Sequence, residues 1–313
     1  MRLFVGVTDW NWWSLHAGKP FVEEVNFWRP SPAASFQALN AGEMFLFKLH
    51  SPRNAIAGGG FFTRFVSLPV SLAWEAFGEG NGAKSLAEVR ARISFYRRTP
   101  IAATEDPNIG CILLEEPFFF PEKDWIPTPS DFSANVVVGK GYDTASETGQ
   151  LLWQQVGQRL QAVRLRSQEA GPALSAAADA ARFGSPTIVL PRLGQGSFRV
   201  LITEAYTRRC AVTGERTLPV LEAAHIRPYA KGGAHELSNG LLLRSDLHTL
   251  FDRGYVGIDP KERRVLVSSR IKEEFENGRD YYSLQGRSIA PPVDKLAVPA
   301  FENLLYHAEH VFR

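Results

Sequence analysis

The chain has 313 residues, 44% of them hydrophobic and 22% charged, a globular composition that leaves room for two domains and excludes a disordered chain. Thirty-five Lys and Arg against 33 Asp and Glu give a net charge of +2, so bulk charge alone assigns no nucleic-acid partner. No run approaches the ~18 uninterrupted apolar residues of a membrane-spanning helix, and two cysteines, Cys111 and Cys210, exclude a disulfide framework and a four-thiolate zinc site.

The opening MRLFVGVTDWNWW does not read as a signal peptide, because Thr8 and Asp9 break its apolar run and no small-residue cleavage site follows. With so few cysteines, a reducing, cytoplasmic setting is the expectation. Leu3 to Val7, Met44 to Leu49 and Cys111 to Leu114 have the length of strands. Gly58 to Gly60 predict a sharp bend between strands or a place where another molecule approaches the backbone. Leu86, Val89, Ile93 and Tyr96 recur at helical steps and predict a helix over 85–98. A Pro- and aromatic-rich loop follows at 117–129.

Leu151, Leu152, Val156, Leu160 and Val163 stripe a second helix over 146–168. Residues 170–186, AGPALSAAADAARFGSP, lack large core residues apart from Leu174 and Phe183 and read as interdomain linker. Beyond it, 197–206 predicts a helix, 218–226 contains a strand and 247–253 predicts a short helix. Val256 to Ile258 and Arg264 to Val267 make a hairpin around Asp259-Pro260, and 271–277 and 301–312 are the closing helices. The boundaries expected are a first domain at 1–168, a linker at 169–190 and a second domain at 191–313.

The chemistry concentrates in LEAAHIRPYAKGGAHELSNGLLLRSDLHTLFDRG, residues 221–254. His225 ends an apolar strand-like run, Gly232 and Gly233 lie in a loop, and Asn239 and His248 follow. Asp252 comes four residues after His248, so a helix puts the two on one face. A neutral strand histidine can take a proton from water, while an imidazole and a carboxylate on a facing helix can hold a divalent cation. Seven basic side chains against three acidic ones from Arg192 to Lys231 give this region a local positive excess.

The segment closely resembles the HNH nuclease family, whose site is a ββα-metal unit. The residues that carry the likeness are the order His225, Asn239, His248, the Gly-Gly loop and the run Leu241 to Leu243. Upstream, RLGQGSFRVLITEAYTRRCAVTG (192–214) is similar to the lead-in of a restriction-enzyme-like HNH subfamily. The resemblance implies His225 as general base, Asn239 as the loop tie that holds it, and His248 with Asp252 on a Mg, Mn or Ni ion. Arg227, Lys231 and Arg244 are expected phosphate contacts, and the products carry 5′-phosphate and 3′-hydroxyl ends.

Two departures qualify the match. Many HNH sites place a ligand directly before the base, and here that residue is Ala224; Glu222 is nearby, but its odd separation from His225 points it to the other strand face. Relatives with Cys-x-x-Cys knuckles bind zinc, whereas Cys210 is followed by Thr213 in place of a second Cys, and Arg244 and Leu247 occupy the later positions. No structural zinc is expected.

The first domain begins with a concentration of aromatics, Trp10, Trp12, Trp13, Phe21, Phe27 and Trp28, which form either a core or a cage for a flipped base. The strand GEMFLFK (42–48), the Gly-rich turn before Phe61-Phe62 and Gly-Lys-Gly-Tyr at 139–142 together resemble PUA-superfamily domains of the EVE/ASCH type. That likeness implies a modified-base pocket, with Trp10, Trp12, Trp13, Trp28 and Tyr142 as its candidates. The expectation is an α+β chain: an N-terminal PUA-like β-barrel with helices, then a ββα-metal HNH nuclease domain. It would be a modification-dependent endonuclease acting on double-stranded DNA with 5-methyl- or 5-hydroxymethylcytosine, with a homodimer for double-strand cleavage and no membrane association. Two alternatives stand beside it: an HNH nuclease indifferent to modification, acting as nickase or antiphage toxin, and a non-catalytic reader of modified nucleic acid.

Overall fold

The computed structural model describes residues 1–32, 35–168 and 193–313. The chain divides into two compact units, Met1–Pro191 and Arg192–Arg313. The expected linker at 169–190 lies outside the described residues. No helix among the described residues is long and apolar enough to cross a membrane.

The first unit runs β1 (Arg2–Thr8), α1 (Trp10–Ala17), β2 (Glu24–Arg29), β3 (Met44–Leu49), β4 (Ala55–Pro69), α2 (Val70–Phe77), α3 (Leu86–Arg97), β5 (Asn108–Phe119), β6 (Ile126–Pro127), β7 (Gly139–Asp143) and α4 (Glu147–Gln168). Its seven strands form one sheet in the order β2-β5-β4-β3-β1-β7, with β6 added beside β4. β1 pairs parallel to β3 and the other pairings are antiparallel. The alternation along the strands builds two cores. Leu3, Val5, Met44 and Leu46 cluster with Leu152, Trp153 and Val156 of α4, while Phe4, Phe45 and Phe47 cluster with Trp12 and Trp13 of α1.

The expected barrel is corrected. The sheet is mixed and open, with no pairing among the described residues between β2 and β7 to close it. Gly58–Gly60 do not separate two strands either; they lie inside the continuous strand β4. What approaches these glycines closely is the chain itself, not another molecule: a Cβ on Gly58 would stand 2.2 Å from the Phe118 carbonyl oxygen, and one on Gly59 2.6 Å from that of Phe45. The residues expected to form a loop at 117–129 instead continue β5 to Phe119 and add β6 against Ala55 and Ile56, because backbone pairing overrides the proline punctuation at an edge.

The second unit runs α5 (Gln195–Ala205), β8 (Leu221–His225), β9 (Gly240–Arg244), α6 (Ser245–Asp252), β10 (Val256–Ile258), β11 (Val265–Val267), α7 (Arg270–Phe275), α8 (Arg279–Tyr282) and α9 (Phe301–His310). β8 and β9 are antiparallel, with His225 opposite Gly240, and α6 follows β9 directly. This ββα unit shares one core with α5: Phe198 and Ile202 pack with Ala224, Leu241, Leu242, Leu247 and Phe251. Overall the chain is α+β.

Candidate functional site

In α6, Leu247 and Phe251 point into the core, so His248 and Asp252, one residue further along, share the flank that faces outward. The two side chains meet, with His248 Nε2 3.3 Å from Asp252 Oδ2. From β8, Glu222 reaches the other side of the same ring, its Oε2 2.6 Å from His248 Nδ1. A carboxylate only accepts, so Nδ1 carries the hydrogen of that bond and Nε2 is turned toward Asp252. Nε2 and Oδ2, 3.3 Å apart, are a nitrogen and an oxygen close enough to share one proton or one metal ion.

His225 closes β8 as a half-buried residue. Phe198 of α5 lies flat against its ring, with centroids 4.1 Å apart and planes 9° apart. Burial first, then the nearby His235 and His248, lowers its pKa from 6.5 to about 4. At neutral pH the ring is therefore uncharged and able to accept a proton.

The loop from β8 to β9 folds back over His225, and Asn239 is its fastener. Asn239 Oδ1 accepts from the Arg227 N–H at 2.9 Å, and its Nδ2 donates to the carbonyls of Arg227 and Ala234, each at 3.0 Å. Its backbone carbonyl accepts from Ile226 N–H. All four bonds are made by a residue only 1% exposed. Gly232 takes a left-handed turn at φ 81°, and a Cβ on Gly233 would meet the Arg227 carbonyl oxygen at 2.0 Å, so this loop requires both glycines.

The expected phosphate contacts differ in disposition. Arg227 donates to the Lys231 carbonyl and lies over the Tyr306 ring at 4.5 Å. Lys231 is exposed. Arg244 is gripped at both ends of its guanidinium by Asp246, at 2.7 and 2.8 Å. Cys210 is a buried free thiol that accepts from Thr213 N–H.

Of the five expected pocket residues of the first unit, Trp10 and Trp13 meet, and Trp12, Trp28 and Tyr142 pack against other partners. Trp10, 39% exposed, stacks on Trp13 with Arg53 3.7 Å over its outer ring face. Trp13 is buried and donates Nε1 to the Ala57 carbonyl. Trp12 is buried among Phe27, Phe47 and His16. Trp28 donates to the Asn81 carbonyl beside Tyr96. Tyr142 packs in the other core with its hydroxyl on Asp131.

The sequence reads Glu222 as lying on the strand face opposite His225 and His235 as a solvated loop residue; the structure brings Glu222 to His248 and His235 Nδ1 to 2.9 Å from His225 Nε2. Nothing in the spacing singled out Phe198.

A divalent ion is implied by the HNH resemblance, and the donors fit one: an imidazole nitrogen and a carboxylate oxygen suit Mg, Mn or Ni. Among the described residues no three His, Cys, Asp or Glu side chains form a ready cage. Glu222 occupies the far ring nitrogen, so His248 Nε2 and Asp252 are the donors on the near side that could hold such an ion.

Comparison with known proteins gives a family match over this part of the chain, the HNH endonuclease model at residues 210–259. No curated protein matches the chain. Among solved structures, an ASCH protein from Zymomonas mobilis in a single-substitution mutant form is 11% identical, with a TM-score of 0.32, covering 48% of this chain and 96% of that one. The modification-dependent restriction endonuclease TagI is 12% identical, with a TM-score of 0.27, covering 97% of this chain and 81% of that one. TM-scores of this size do not establish a shared fold. The family match covers both strands and the helix of the ββα unit, with His225, Asn239 and His248 inside it: residues 210–259 are an HNH endonuclease domain.

Proposed function

We propose that this chain is a metal-dependent DNA endonuclease directed to DNA carrying modified cytosine. The observation that carries the nuclease reading is the meeting, on one ββα unit, of an uncharged His225, the Asn239-fastened loop and the His248–Asp252 pair. In this reading His225 takes a proton from water as the water oxygen attacks phosphorus. The P–O3′ bond breaks, and the departing oxygen takes a proton from solvent, leaving 5′-phosphate and 3′-hydroxyl ends. Asn239 keeps the loop closed so that the His225 ring has one orientation. His248 and Asp252 hold the divalent ion, which when bound stabilises negative charge on the phosphate in the transition state. Glu222 fixes the His248 ring by its Nδ1 hydrogen bond, as outer partners of metal-binding histidines do. Arg227 and Lys231 sit beside the base and serve the DNA backbone.

The first unit, with a boundary near residue 168, supplies the modified-base preference in this reading. The EVE/ASCH-like residues support it: 44–49 form β3, the glycine run forms the close approach in β4, and 139–143 form β7 beside β1. Of the five aromatic candidates Trp10 is the most exposed, and a base would stack on the Arg53 guanidinium that covers its ring or displace it. One HNH site cuts one strand, so a double-strand break calls for two copies.

The deciding experiment is a digestion panel of unmodified, methylated, hydroxymethylated and glucosylated DNA with Mg, Mn or Ni, comparing wild type with His225→Ala. Wild type is expected to cut modified DNA and the variant to lose at least about 100-fold, the usual scale of a lost general base. Equal cutting of all four DNAs removes the modification dependence and leaves a general nuclease. Equal cutting by wild type and variant removes this active site.

A further inference from the structure

The proposed base does not stand alone: its Nε2 is bound to a second imidazole, that of His235, at 2.9 Å. Both rings are held by flat neighbours. Phe198 backs His225 at 4.1 Å and 9°, and Tyr229 backs His235 at 4.5 Å and 24°. The two imidazoles meet edge to face, with centroids 4.9 Å apart and planes at 63°, so that Nδ1 of His235 is brought in line with Nε2 of His225.

We propose that His235 is a positioning residue for His225, acting as the hydrogen-bond acceptor that fixes the base in its Nε2–H tautomer and leaves the Nδ1 lone pair to the attacking water. The inference rests on the nuclease reading for its consequence and on geometry for its content. When both imidazoles are neutral, one hydrogen occupies the bond, and it can belong to either ring. If it belongs to His225, both rings are Nε2–H tautomers, the form an isolated histidine side chain prefers. If it belongs to His235, both rings are driven into the less favoured Nδ1–H form, and His225 then presents an N–H to the side where water is to lose its proton. The first arrangement is the one in which His225 can work as a base. It also serves the step itself. When His225 Nδ1 takes the proton from water, the ring becomes an imidazolium whose Nε2–H already points at an acceptor, so the new charge is stabilised where it forms.

The two glycines make this pairing available. Residue 235 lies ten positions beyond the base, and the turn through Gly232 and Gly233, clamped by Asn239 on Arg227 and Ala234, brings it back onto the end of β8. Asn239 thus acts on His225 through the loop that carries His235 as well as by tying the loop to the strand.

The test uses the full chain labelled with ¹⁵N-histidine, with ring tautomers read by long-range ¹H–¹⁵N correlation, alongside steady-state cleavage of DNA. In wild type, His225 is expected to show a hydrogen on Nε2 and a bare Nδ1. In His235→Phe, which keeps a flat ring for Tyr229 and removes the acceptor, that signature is expected to give way to a tautomer mixture. kcat is expected to fall about 100-fold with KM unchanged. His235→Asn, whose side-chain oxygen can stand where Nδ1 stood, is expected to restore the tautomer and most of kcat. A wild-type spectrum with the hydrogen on Nδ1 of His225 overturns the proposal without any variant. So does a His235→Phe protein whose His225 tautomer and kcat are unchanged. If wild type cuts no DNA with any of the three metals, the nuclease reading fails, and the spectra still decide whether His235 holds the tautomer.

Discussion

The Glu222 carboxylate and the His248 imidazole form a 2.6 Å hydrogen bond across the junction of β8 and α6, joining the strand of the proposed base to the helix of the proposed metal ligands. The bond sets which ring nitrogen of His248 is left for a cation. Glu222→Ala is expected to weaken Mn or Ni binding 10- to 100-fold, the usual cost of losing such a partner, with Glu222→Gln intermediate because its amide oxygen can still accept. Calorimetric titration of the full chain with each metal measures this. Unchanged affinity in Glu222→Ala would remove Glu222 from the metal's surroundings.

Asn239 provides a separate handle on the loop. Asn239→Ala strips the Arg227 N–H and the carbonyls of Arg227 and Ala234 of their side-chain partner. Leaving such groups unsatisfied costs roughly 1–3 kcal/mol. The expected result is a lower urea midpoint and a cleavage rate down by more than about 10-fold. Asn239→Asp, which accepts but cannot donate to the two carbonyls, is expected to fare no better. Retention of full activity by either variant would show that the loop holds without its fastener.

The two units carry buried histidines that make stability depend on pH. His16 is fully buried with no hydrogen-bond partner on either ring nitrogen among the described residues, and His307 is stacked 3.7 Å from Phe251. Burial lowers each pKa from 6.5 to about 4. The unfolded chain therefore binds these protons first, and stability falls as pH drops from about 6.5 toward about 4, by roughly 2–3 kcal/mol per histidine at the lower end. Melting temperatures at pH 7.5, 6, 5 and 4.5 check the sign. His16→Phe is expected to flatten the dependence, and a flat wild-type profile would contradict the burial of both rings.

The tryptophans separate surface function from core. Trp13→Ala removes a buried indole and its bond to Ala57, at an expected cost of about 3–5 kcal/mol. Trp10→Ala removes an exposed ring under Arg53, is expected to leave melting nearly unchanged, and is expected to weaken binding of modified DNA by about 1–3 kcal/mol per lost stack. Gel-shift affinity that Trp10→Ala leaves untouched would move the reading surface elsewhere.

How much of this the sequence disclosed depends on the range of the interaction. The helix over 86–97, capped by Ser85, follows from local periodicity, and the His–Asn–His segment follows from spacing within one short unit. The helix Trp10–Ala17 did not announce itself, because aromatic residues on several sides blur the amphipathic stripe that marks a surface helix. Barrel closure was also misjudged, since it depends on pairings between distant strands that no local pattern reports. Within the site, Glu222 on His248 and His235 on His225 arise where a strand meets a helix and where a loop doubles back, and spacing along the chain reports neither meeting.

Phe198 has a practical consequence for anyone wishing to move this catalytic unit into another protein. The aromatic floor beneath His225 comes from the helix Gln195–Ala205, ahead of the residues that define the family match. A graft begun at Cys210 would carry all three signature side chains and still leave the imidazole rocking over an unfilled hole. A portable cassette has to start upstream of Gln195.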